Sequence, residues 1–510
     1  MLNISLTSQA ARRWFFLAVL VAALVRLYLL WQYYCINSDG LHYIDTAKDY
    51  WAGDFGAGLA SVYPPGYPLI IAWFYSLIGD WELAGQIPSI ICGIALVWPL
   101  FLLFRDAFGE AVGLIGCFLL ALSPFLARYS AQVRTESVYF LLSAFALLLF
   151  FRGIELKNLP TLFYGGLVAG VAYLVRPEAV GFLLIIPSYL VFKWFCERTP
   201  NLLWVGKACV LLGLGFFLFA LPYIVFLSID TGRWGALSRK AGVTLAVSIK
   251  ESGIIDGNES AEASDVDSMD FDQFIRQHPW IYVKKVALDI FPAIGVFFEA
   301  MHFSYVPFFL AGFLILFRTR LWERKDFLLL VFILFYVFGF TLIYVKRRYS
   351  LQAVPISLGW AALGFSTLWR FISQMFAGKQ GKVIFCSIVA AFLASTLPKT
   401  LTPISREKAY VRDAGWYLRD HYAANKLRVA VFDDRVTFYG KSKTLLLTGV
   451  AEKDLAVFLR KEKPDYLASD SKVLTKLYPS VAQNPDHYSL VLEKEFVGTR
   501  KDRMLLFKVS

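Results

Sequence analysis

Apolar residues in this chain do not recur with the period of an amphipathic helix or a half-buried strand. They come in long runs, at 14–31, 110–127, 137–151, 204–229 and 327–345. Runs of this kind approach the ~20 residues that a helix needs to cross a hydrocarbon core about 30 Å thick. With shorter runs included, the pattern predicts spans near 14–31, 86–104, 110–127, 137–151, 161–175, 179–195, 204–229, 301–317, 327–345, 352–369 and 383–398, about eleven in all. Gly66–Gly79 is apolar but short and rich in Pro, Trp and Tyr, which suits an interfacial helix. Ala287–Ala300 carries Asp289, Pro292 and Glu299 and is not counted as a span, which would put Arg318–Lys325 outside. Beyond 399 the runs stop. Arg406–His421 reads as a helix, and Arg428–Phe432, Tyr466–Ala468, Tyr488–Glu493 and Met504–Val509 read as strands. The expectation is a polytopic α-helical membrane protein over 1–398, with a small C-terminal α/β domain over 399–510.

Composition supports a chain solvated by lipid. Apolar residues make up 57% of its 510 residues and charged residues 18%, against about a quarter charged in soluble domains. A net charge of +12 would suit nucleic acid, but 17% aromatics and many spans point away from it. Cys35, Cys92, Cys117, Cys196, Cys209 and Cys386 lie in or beside apolar runs without metal-ligand spacing, so they read as packing residues. The spacing identifies no cofactor and leaves a divalent metal open. Arg12 and Arg13 precede a first apolar run too long for a signal-peptide core, which predicts a retained span.

Charge then threads the spans. With the N-terminus cytoplasmic, one set of connections holds Arg105, Arg152 and Lys157, then Lys193, Arg198 and Lys207. The next hold Arg318, Arg320, Arg324 and Lys325, then Arg370, Lys379 and Lys382. Positive charge is retained on the cytoplasmic side, so loops 32–85 and 230–300 and the C-terminal domain are expected outside the cytoplasmic (inner) membrane. Residues 251–272 hold eight acids among Gly, Ser and Asn and read as a solvated segment rather than a metal site.

Several charged residues lie on the outer side, where topology does not need them. The first outer loop begins Asn37-Ser-Asp39-Gly-Leu-His42-Tyr43. Asp39 has two readings: a base for a hydroxyl arriving from water, or, with Ser38, the cap of the helix that follows. Arg134-Thr-Glu136, Arg176-Pro-Glu178 and Lys346-Arg347-Arg348-Tyr349 place arginines and acids at outer turns. Guanidinium groups match phosphate oxygens bidentately, so a phosphate-bearing ligand fits. Anionic headgroups or internal ion pairs such as Arg134 with Glu136 fit as well. Thr231–Lys240, including Trp234 and Lys240, is either a sugar- or phosphate-contacting element or a turn.

The order of these pieces resembles the GT-C glycosyltransferases that use polyprenyl-phosphate sugars, in particular the bacterial protein-mannosyltransferase and aminoarabinose-transferase-like members. The resemblance covers roughly residues 10–400. It rests on Asn37–Tyr43, Tyr63-Pro-Pro-Gly-Tyr-Pro68, Arg134-Thr-Glu136, Leu174-Val-Arg176-Pro-Glu178 and Arg348-Tyr349, in that order. It implies Asp39 as catalytic base and Glu136 as a second active-site carboxylate. Arg134, Arg176, Glu178, Lys240, Arg347, Arg348, Tyr349, Tyr63 and His42 are then the donor-phosphate or substrate-binding set. The implied reaction is inverting transfer of a sugar from a polyprenyl-phosphate donor to an acceptor hydroxyl on a glycan, lipid or protein, at the outer face of the membrane. Two departures bear on the acceptor: Pro64-Pro65 stands where lipid A-modifying members carry Lys-Pro, and Gly40 follows Asp39 in place of a second acid. The competing class is a flippase or transporter of a lipid-linked saccharide, which should show internal repeats or paired broken helices.

Overall fold

The computed structural model of the chain describes residues 9–197, 201–239, 244–245, 247–249, 275–315, 324–376, 378–422, 426–499 and 502–510. Lys240 and the acidic stretch 251–272 lie outside the described residues. The chain divides into two compact units: 1–28 with 43–402, and 29–42 with 403–510.

The first unit is helical. Its helices are α1 (Gln9–Trp31), α2 (Ser38–Trp51), α3 (Phe55–Ala60), α4 (Gly66–Ile78), α5 (Trp81–Ala95), α6 (Val97–Phe108), α7 (Glu110–Leu122), α8 (Pro124–Ser130), α9 (Glu136–Glu155), α10 (Leu159–Val175), α11 (Phe182–Glu197) and α12 (Leu202–Thr231). They continue with α13 (Pro279–Met301), α14 (Val306–Leu314), α15 (Phe327–Gly339), α16 (Arg347–Ser350), α17 (Val354–Met375) and α18 (Lys379–Thr400). The last residues of α1 and the first of α2 belong to the second unit.

Among the described residues, six helices are long and apolar enough to cross a membrane, or up to eight if each of two bent pairs is one span. Leu159–Val175 and Phe327–Leu342 are apolar but shorter. Large apolar side chains such as Phe16, Leu20 and Leu24 of α1 and Leu203, Leu214 and Leu218 of α12 are exposed. Lipid tails solvate such faces. Between helices, packing of small residues replaces the hydrophobic drive. Gly166 and Gly170 of α10 face the Leu212 and Phe216 carbonyls of α12, and Gly312 and Gly364 set α14 equally close to α17. A Cβ at any of these would collide with backbone.

The predicted span 301–317 holds α14, and the chain bends sharply ahead of it. α13 ends at Met301, His302 takes φ 76°, and α13 and α14 meet at 115°. His302 is buried at the corner, with Nδ1 2.7 Å from Ser304 Oγ, which lies 2.8 Å from Thr396 Oγ1. Ala287–Ala300, not counted as a span, lies inside the 23-residue α13. Its charged residue Asp289 is matched by Lys285 one turn earlier, at 3.1 Å.

The second unit is built on a five-stranded sheet of order β2-β1-β3-β5-β4, with β1 (Arg428–Val431), β2 (Lys443–Leu446), β3 (Tyr466–Asp470), β4 (Leu490–Val497) and β5 (Arg503–Val509). β1 pairs in parallel with β2 and β3, whereas β5 runs antiparallel to β3 and β4. α19 (Ala409–His421), α20 (Arg435–Gly440), α21 (Leu455–Glu462), α22 (Ser471–Leu477) and α23 (Pro479–Gln483) complete it. Ala430, Leu459, Leu467, Leu474 and Phe507 form its core. Residues 29–42 join this unit by pairing: Tyr34 N–H donates to the Ile404 carbonyl at 3.0 Å and Ile404 N–H to that of Gln32 at 2.9 Å.

Candidate active site

Three of the sequence-predicted turns converge in the first unit. α9 begins at Glu136, where a carboxylate complements the positive end of a helix. The side chain is wholly buried. Pro177 excludes the helical region for the residue before it, so α10 ends and Arg176 is extended, at φ −148° and ψ 129°. Its guanidinium thereby turns back under α9. Arg348 arrives on the short α16.

Glu136 is the hub. Its Oε1 pairs with Arg348 Nε, lies 3.2 Å from Arg176 Nη1 and 3.9 Å from Arg134 Nη1. Arg176 is itself 7% exposed at its side chain and grips Glu178 with Nη2 at 2.7 Å and Nε at 3.3 Å. Gln352 Nε2 donates to the same Glu178 oxygen at 3.3 Å. Arg134 lies over the Tyr129 ring and donates to Gln132. Three guanidinium groups against two carboxylates leave the cluster one net positive charge, with Arg134 and Arg348 at its partly exposed rim. Taking these ions out of water is costly unless each is paired, so the acids fix the arginines in place.

The Tyr63–Pro68 motif supports this cluster from behind. Tyr67 is buried, with its hydroxyl 2.9 Å from both the Gly85 carbonyl and Ser89 Oγ. Ser89 Oγ donates to the Arg134 carbonyl at 3.0 Å. A Cβ on Gly66 would lie 2.6 Å from the Leu174 carbonyl, two residues before Arg176. Glycine therefore lets the start of α4 press against the turn that carries Arg176. Tyr63 packs its ring on Tyr43 at 4.5 Å and is not part of the ion cluster. Tyr336 holds the other side, donating to the Glu178 carbonyl at 3.1 Å with Tyr139 Oη 2.7 Å away.

Arg347 and Tyr349 have other partners. Arg347 pairs with Glu299 at 2.8 Å and lies over the Phe125 ring. Tyr349 stacks on Phe340. Lys240 is outside the described residues. Asp39 and His42 belong to the second unit, at the start of α2. There the helix-capping bond comes from Asn37, whose Oδ1 accepts the Gly40 N–H at 2.9 Å. The loop ahead of Asp39 is fastened within its own unit: Ile36 N–H donates to Tyr439 Oη at 2.7 Å, and Arg435 Nη1 reaches the Ile36 carbonyl at 3.5 Å. Asp433 holds Arg435 through Nε at 2.7 Å and Nη2. Burial lowers the Arg435 pKa, but the Asp433 hydrogen bonds and charge outweigh it and leave it raised. Among the described residues no group of three or more His, Cys, Asp or Glu could hold a metal ion.

Sequence reasoning missed Gln352, Tyr67, Ser89, Tyr139 and Tyr336. Each is a polar side chain inside or beside an apolar run, a signal visible in the sequence once burial is assumed.

The chain is similar to known proteins in sequence family and in fold. Residues 62–223 match the family model described as dolichyl-phosphate-mannose-protein mannosyltransferase. No curated protein sequence matches the chain. Among solved structures, the Archaeoglobus fulgidus oligosaccharyltransferase in complex with Zn and sulfate is similar over 98% of this chain and 73% of its own, at 12% identity and a TM-score of 0.60. ArnT from Cupriavidus metallidurans bound to undecaprenyl phosphate is similar over 97% of this chain and 98% of its own, at 11% identity and a TM-score of 0.57. The fold is that of the GT-C glycosyltransferases. Within this GT-C fold, the matched segment 62–223 contains the Tyr63–Pro68 motif, Arg134, Glu136, Arg176 and Glu178, while Arg348 comes from beyond it.

Proposed function

We propose that this protein transfers a sugar from a polyprenyl-phosphate carrier to an acceptor hydroxyl at the outer face of the cytoplasmic membrane, with inversion at the anomeric carbon. The observation that carries this reading is the buried Glu136–Arg176 pair, with Glu178, Arg134 and Arg348 partly exposed around it. The donor is a phosphodiester with one negative charge. Its leaving group is a phosphomonoester that gains a second charge as the glycosidic bond breaks. A cluster with net positive charge, held rigid by its own carboxylates, favours that change. Preorganised donors of this kind are worth about 10²–10³ in rate.

The acceptor oxygen attacks the anomeric carbon opposite the phosphate. The carbon–oxygen bond to phosphate breaks, its electron pair stays on the leaving oxygen, and the acceptor proton passes to a base. We assign that base to Asp39 on the sequence resemblance, supported by its half-buried position at the start of α2. General base catalysis contributes about 10²–10⁴. Glu136 acts as a positioning residue for the three arginines. The carrier for which undecaprenyl phosphate in ArnT is a precedent would occupy the cationic rim.

The test uses purified protein in liposomes with a radiolabelled polyprenyl-phosphate sugar. Release of polyprenyl phosphate with labelling of an acceptor is expected. Asp39→Asn should abolish transfer while leaving donor binding unchanged. Movement of the intact donor across the bilayer without cleavage would establish a flippase instead.

A further inference from the structure

The far end of α9 carries a second polar assembly. The helix has 20 residues, about 30 Å at 1.5 Å per residue, so its last turn lies at the opposite edge of the first unit from Glu136. There Arg152 Nε donates to Asp106 Oδ2 at 2.7 Å, and Arg105 Nε donates to Asp106 Oδ1 at 3.0 Å. Lys325 lies 4.0 Å from Glu155. These five side chains, with Asn158, surround a cavity of about 430 Å³. Three cations against two carboxylates leave it positive.

A second cavity, of about 770 Å³, runs between α10 and α12 and is lined by Leu159, Leu202, Leu203, Gly206, Val210 and their neighbours. Its walls are hydrocarbon apart from Lys207. Both are lined by the start of α10, where Asn158 and Thr161 border the polar cavity and Leu159 the apolar one. Trp204 Nε1 donates to the Lys157 carbonyl at 3.3 Å and holds α12 beside that turn.

We propose that this pair of cavities binds one anionic phospholipid, its phosphate at Arg105, Arg152 and Lys325 and an acyl chain along the α10–α12 groove. The charge is complementary to a phosphodiester headgroup. A free anion has no use for the groove, and a zwitterionic lipid gains less from the cations. The site stands apart from the Arg176 cluster, so its occupancy does not depend on the proposed transfer reaction.

Full-length protein is equilibrated in micelles holding equal amounts of phosphatidylglycerol and phosphatidylcholine, and retained lipid is counted by native mass spectrometry. Phosphatidylglycerol should be retained over phosphatidylcholine by about tenfold, the equivalent of one charge-assisted contact. Arg105→Gln with Arg152→Gln should erase the preference. Gly206→Phe provides a variant that leaves the ion pairs alone, because a Cβ there meets nothing within 4 Å. It fills the groove and should lower retention of phosphatidylglycerol, while Arg176→Gln should leave it unchanged. Equal retention of the two lipids by the wild type overturns the proposal. So does displacement by millimolar inorganic phosphate with Gly206→Phe unaffected, which marks a phosphate site alone. Preferential capture of added polyprenyl phosphate over phosphatidylglycerol overturns it too, in favour of the carrier lipid.

Discussion

At the scale of single residues, Glu136 shows how a buried charge is made tolerable. Its carboxylate is encircled by Arg348, Arg176 and Arg134. Glu136→Ala removes the carboxylate that the three guanidinium groups share, and breaking a buried pair costs about 3–5 kcal/mol. Thermal unfolding in detergent should fall accordingly. An unchanged midpoint would show that the cluster is solvated. Arg176→Lys keeps the charge but loses the two-pronged grip on Glu178 and the reach to Glu136. Transfer should drop by about 10²-fold or more, as for loss of one preorganised donor, with the conservative variant retaining more activity than Arg176→Gln. The arginines and acids of this cluster were legible in the sequence because charges at turns outside the expected cytoplasmic set have no topological purpose. What the sequence did not reveal was their partners. Arg134 with Glu136 was an open alternative, but Arg348 lies more than 200 positions away, and only the fold brings it to Glu136. Arg347, its neighbour, is directed instead to Glu299 and Phe125.

At the scale of elements, uninterrupted apolar runs such as those of α1, α9 and α12 were readable because their length alone specifies a span. The corner at His302 was not, since Ser304 and Thr396 satisfy its ring only after folding. β2 was also hidden: a short edge strand with three exposed positions shows no alternation. Two elements invite tests. Gly66→Val would drive α4 away from the Leu174 carbonyl and displace Arg176, so donor affinity should fall while Asp39 is untouched. Normal affinity would disconnect the Tyr63–Pro68 motif from the cluster. In the second unit, Glu493 on β4 accepts from Tyr417 at 3.1 Å, Tyr422 and Tyr466 at 3.0 Å. Burial pushes its pKa up, but the three hydroxyl donors outweigh it and leave it below the usual glutamate value. A lowered folded pKa contributes stability that is present above the unfolded pKa of about 4.3 and lost as pH falls through the folded value. Near-UV circular dichroism between pH 6 and 3 should therefore show acid weakening in the wild type that Glu493→Gln lacks.

At the scale of the whole molecule, the question is what a membrane protein gains from putting cations at both edges. With the N-terminus cytoplasmic, as the proposed threading has it, retention on that side accounts for one set, for it follows Lys and Arg in short connections near span ends. Arg105, Arg152 and Lys325 fit that rule, and they border a cavity rather than open water. The arginines at the other end of α9 do not fit it, and each is tied to an acid: Arg134 and Arg348 to Glu136, Arg176 to both Glu136 and Glu178. Charges fixed in this way after insertion are available to a ligand instead of to topology. The two sets make opposite predictions about sidedness, and cysteine labelling can read them. In a cysteine-free background, Leu156→Cys sits on an exposed residue beside the Arg152 cavity, and Ser480→Cys sits on an exposed position of α23. An impermeant maleimide added to intact spheroplasts should label Ser480→Cys at once and Leu156→Cys only after permeabilisation. The reverse pattern would put the Glu136 cluster on the cytoplasmic side. A transferase working there would draw its acceptors from inside the cell rather than from the envelope.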